Sequence, residues 1–67
     1  MTLDKARELI GIQLHFGGGY NRNAVRLILG EIQAEHGRAA VDDLIRELDL
    51  KQAFGLQPGT DFSHVAR

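Results

Sequence analysis

The run with the most chemical potential is His15-Phe16-Gly17-Gly18-Gly19-Tyr20-Asn21-Arg22-Asn23-Ala24-Val25-Arg26, a glycine tract leading into the start of a helix. Free backbone N–H groups and the positive end of a helix dipole attract anions at such a place. Arg22 and Arg26, one helical turn apart, add charge, and the Asn side chains can donate hydrogen bonds. Gly18, Gly19, Asn21, Arg22 and Arg26 are therefore the candidate anion or nucleotide site. The tract lacks the Lys and Ser or Thr of a P-loop, and the element before it reads as a helix rather than a strand, so it fits neither common phosphate-cradling pattern. The competing reading is an interhelical connection in which the glycines supply a C-cap and a turn.

The histidines and carboxylates point away from catalysis. His15, His36 and His64 stand 21 and 28 residues apart, with no local His pair of the kind that holds two ligands on one side of a zinc ion. His15 and His36 each precede a glycine at a predicted helix end, where an imidazolium meets free carbonyls. Asp42, Asp43, Glu47 and Asp49 cluster in sequence. Acid–base work would need a cleft that drives two carboxyls apart in pKa. A solvated helix face is the simpler expectation, with Asp42 and Asp43 near the positive first turn and Arg46 in pairing reach. No nucleophile motif is present, so the expectation is a protein that is not an enzyme and takes no cofactor or metal.

The elements that would position these residues follow from apolar periodicity. The first helix runs from a Thr2 cap to about Phe16, with Leu3, Ala6, Ile10 and Leu14 on one face and Leu9, Ile12 and Phe16 beside them. That apolar arc is wide for a small monomer. Gly17 is the natural left-handed stop. Asn21 is the expected N-cap of the second helix, with Tyr20 and Val25 in the positions of a hydrophobic staple. Val25, Ile28, Leu29, Ile32 and His36 form its main face, and Gly37 ends it. Asn23, Leu27, Gly30 and Ala34 form a second, shallow row, the candidate helix-contact or dimer face. Because an interior glycine costs a helix roughly 0.8–1 kcal/mol relative to Ala, Gly30 predicts a close approach by another helix.

A third helix starts near Arg38 and uses Val41, Leu44, Ile45 and Leu48. There the phase breaks. Asp49 and Gln52 resemble a capping box for a short fourth helix, about Leu50 to Phe54, closed by Gly55. Gln57-Pro58-Gly59-Thr60 has the Pro and Gly of a type II turn. From about residue 57 the chain is expected to be a loosely held tail, with Phe62 and Val65 able to dock one turn back on the core.

These elements make a single all-α domain over 1–67, three main helices plus a short fourth. The chain has 67 residues, no Cys and net charge −1, with acid and base spread evenly along it. A domain of this size buries only about 60% of its unfolded surface, and without disulfides the remaining source of stability is oligomerisation. A helical homodimer is therefore expected. No apolar run exceeds three residues, which argues against a membrane span or a secretory leader and points to a cytoplasmic protein. The helix–Gly37–helix segment superficially suggests a DNA-binding regulator, but its second helix presents Asp42, Asp43 and Glu47, which would repel phosphate, so nucleic acid is not the expected partner. The leading expectation is a small regulatory or accessory module that binds a larger protein. An anion or nucleotide sensor built on the glycine tract is the alternative.

Overall fold

The computed structural model describes residues 1–16 and 19–65. Four helices occur in chain order: α1 (Leu3–Phe16), α2 (Gly19–His36), α3 (Arg38–Glu47) and α4 (Leu50–Phe54). No strand occurs among the described residues. The all-α reading of three main helices and a short fourth therefore holds. Gly17 and Gly18, with the expected left-handed stop at Gly17, lie outside the described residues.

Helix boundaries follow the local chemistry in most places. The Lys5 N–H donates to Thr2 Oγ1 at 3.1 Å, which satisfies one free donor at the start of α1. Gly37, at φ 88°, turns the chain from α2 into α3, and its N–H donates to the Gln33 carbonyl at 3.0 Å. Gly55 closes α4 at φ 71° and donates to the Lys51 carbonyl at 2.9 Å. The Thr60 N–H reaches the Gln57 carbonyl at 3.3 Å with Gly59 at φ 86°, as a type II turn requires.

Two local expectations are corrected. α2 starts at Gly19, so Asn21 lies inside its first turn rather than at the N-cap. Its Nδ2 donates to Gln13 Oε1 of α1 at 2.7 Å, so the side chain serves interhelical packing. Asp49 makes no side-chain cap hydrogen bond and no capping box with Gln52. It adopts the left-handed conformation, φ 52° and ψ 48°, which reverses the chain between α3 and α4 and which Asp tolerates better than most residues. Asp42 and Asp43 lie next to the first turn of α3, which itself carries no acidic residue.

The core is one cluster. Ala6 and Ile10 of α1, Val25, Leu29 and Ile32 of α2, and Val41, Leu44 and Ile45 of α3 are buried together with Leu50 of α4. Leu48, expected in the core, is half-buried and packs at its edge. Leu56 and Phe62 complete the cluster, and Phe62 is the largest fully buried side chain. The segment from 57 to 65 is thus not the loose tail expected for it. Burying an aromatic ring contributes roughly 1.5–3 kcal/mol toward the cost of ordering the residues around it.

Surface pairs tie the helices together. Arg7 Nε donates to Glu47 Oε2 at 2.6 Å, joining α1 to the end of α3, and this bond raises the Arg7 pKa above its ordinary value. The ammonium of Met1 pairs with Glu35, whose carboxyl the hydrogen bond holds below its usual range. The His36 ring bonds the Met1 carbonyl at 2.9 Å.

Candidate functional site

The last described segment returns to α2 and forms a groove with it. Arg22, Arg26, Gly30 and Gln33 follow one another at i, i+4, i+8 and i+11, a single row along α2. Gln33 holds the returning chain from both sides. Its Oε1 accepts the Phe62 N–H at 2.8 Å, and its Nε2 donates to Asp61 Oδ1 at 2.7 Å. Asp61 also accepts the Ser63 N–H at 2.9 Å. The Gln33 amide first, and then Ser63, hold the Asp61 carboxyl far below its ordinary range.

The preceding turn is pinned from α3. Gly59 donates its N–H to Asp42 Oδ1 at 2.7 Å, while its carbonyl accepts a hydrogen bond from Arg38 Nη2. Toward the N-terminal end of α2 the chain stands off the helix, leaving a groove of about 540 Å³. Arg22 and Arg26 form one wall, and the 55–62 turn with His64 forms the other.

Arg22 donates from Nε to the Phe54 carbonyl at 2.9 Å, which anchors the guanidinium while its terminal nitrogens face no carboxylate among the described residues. Arg26 is half-buried and likewise has no carboxylate partner among them. Asp61 is the acidic residue of the lining, and Gln33 and Ser63 already occupy it.

The five residues proposed from sequence for anion binding are divided by this arrangement. Arg22 and Arg26 come together in the groove. Asn21 turns to Gln13 of α1, Gly19 opens α2, and Gly18 lies outside the described residues. The opposite wall went unnoticed in the sequence, although the Pro58-Gly59 turn followed by an isolated Phe62 carried the signal for a chain that folds back.

The second row of α2 also divides. Asn23, Leu27 and Ala34 are exposed, whereas Gly30 is buried. Gly30 shares its row with Arg26 and Gln33, and its burial arises within the single chain.

Two of the remaining carboxylates serve surface contacts. Asp43 faces Arg46 at 3.8 Å, and Glu47 holds Arg7. Among the described residues no group of three or more His, Asp or Glu could hold a metal ion. A second groove, about 650 Å³, lies between the N-terminal residues and Glu35 and His36, but the Met1–Glu35, His36–Met1 and Arg7–Asp4 contacts already use its polar groups. Among the described residues, no helix is long and apolar enough to cross a membrane. Comparison with known proteins finds no family model, no curated protein and no solved structure that matches the chain.

Proposed function

We propose that this chain is a small non-catalytic cytoplasmic module that pairs with a second copy of itself and, as a dimer, engages a larger protein in a regulatory or accessory role. The observation that carries the reading is the apolar surface left uncovered by the four helices. Phe16 is 73% exposed, Leu27 52% and Ile12 44%. Ile12 and Phe16 lie one turn apart on α1, and Leu27 belongs to the exposed row of α2 with Asn23 and Ala34. Single exposed apolar residues are ordinary on a protein surface. Here three large ones lie on the first two helices. Full burial of each is worth roughly 1.5–3 kcal/mol, and a twofold-symmetric contact would count each residue twice.

The non-catalytic part of the reading is supported by how the carboxylates are used. Glu35, Glu47, Asp42 and Asp61 each hold a hydrogen bond or ion pair that ties two parts of the fold. Sedimentation equilibrium at micromolar concentration should return about twice the chain mass. Phe16→Glu and Leu27→Glu should reduce it to a single chain with helical circular dichroism retained. A native protein that sediments as one chain and still melts cooperatively overturns the proposal.

A further inference from the structure

We propose that the groove between α2 and the 55–64 segment binds a phosphate group, with Arg22 and Arg26 as its principal ligands. This site is separate from the apolar surface invoked above and stands or falls independently of it. Three observations converge. The groove is walled by two distant parts of the chain and, at about 540 Å³, has the size of a small-molecule site. Its two guanidiniums stand one turn apart on one helical row and lack a carboxylate partner among the described residues. The one acidic residue in the lining has its carboxylate engaged by Gln33 and Ser63, on the Gln33 side of the groove.

Arg26 is half-buried as a residue and lines the groove, so its stem is packed while its charge has no carboxylate partner among the described residues. The planar fork of Arg matches a phosphate better than a point charge does, because two parallel N–H bonds can reach two oxygens. Arg22 is already oriented by its bond to the Phe54 carbonyl, so little side-chain freedom is lost when its remaining donors engage a ligand. The His64 ring and the Thr60 side chain lie in the same lining.

The test is a titration of the full chain, labelled for amide resonances, with inorganic phosphate at low ionic strength. A parallel titration uses adenosine monophosphate, and chloride at equal ionic strength is the control. Shifts should concentrate at Arg22, Arg26 and residues 55–64, and raising the salt should weaken them. Tighter binding of the nucleotide, with added shifts at Leu56 and Pro58, assigns the groove to an organic phosphate; equal binding assigns it to the free ion. Arg26→Gln removes a guanidinium that makes no ion pair among the described residues, so it should leave the melt unchanged and lower the affinity at least about tenfold. Arg22→Gln should also weaken binding, with some loss of stability from the broken bond to Phe54. No response to about 10 mM phosphate, shifts matched by chloride, or undiminished binding by the Arg26→Gln protein overturns the proposal.

Discussion

Asp61 shows how one side chain sets the acid response of the seam between α2 and the returning chain. Its carboxylate accepts hydrogen bonds from Gln33 and Ser63, which depress its pKa in the folded protein. The unfolded chain, with Asp near its ordinary value of about 3.9, then binds more protons than the folded one as the pH falls. The stabilisation is complete above that value and is lost as the pH drops through the folded-state pKa. Asp61 is exposed, so solvent screening limits its size. Melts of the native protein and Asp61→Asn between pH 7 and pH 2 should differ most at neutral pH and converge below about pH 4. Parallel curves over the whole range would remove Asp61 from the account of acid stability.

α2 packs against both α1 and α3, and Gly30 is one of its buried positions. A side chain there would add volume at a buried position. Gly30→Leu should therefore overpack it and cost about 1–3 kcal/mol. Because the burial lies within one chain, the lowered melting temperature should not depend on protein concentration; a concentration-dependent loss would place the contact between chains instead. The same position shows what was legible before the structure. A glycine inside a helix signalled a close neighbour, and Gly30 is buried, but helical spacing cannot say which segment arrives. Helix ends were readable wherever a single residue dominates the local choice, as at Thr2, Gly37, Gly55 and Pro58-Gly59. The start of α2 was misread at Asn21, and at Asp49 the helix start was right but the side-chain capping bond does not form. Half of the groove was legible in Arg22 and Arg26. The other half depended on Phe62, a lone aromatic in a polar stretch with no periodicity to say which helix it would meet.

For the molecule as a whole, the margin is thin and the returning segment supplies much of it. A domain of 67 residues has a net stability of about 3–10 kcal/mol at the usual 0.05–0.15 per residue. Removing a buried phenylalanine ring costs about 3–5 kcal/mol. Phe62→Ala should therefore remove a large share of the stability, about 3–5 kcal/mol, read from a lowered denaturant midpoint, although the position lies beyond the last helix. A midpoint within about 0.5 kcal/mol of the native one would show that the helices alone sustain the core.

The way Phe62 reaches its place also bears on the order of events in time. α1 packs on α2, α2 on α3 and α3 on α4, each with its neighbour in the chain, and such contacts form early because the loops they close are short. Phe62 must come back to Gln33 across 29 residues, onto helices that have already met. Its contribution is then a latch that closes after the folding barrier rather than part of the nucleus. It acts mainly on how long the native state survives between openings.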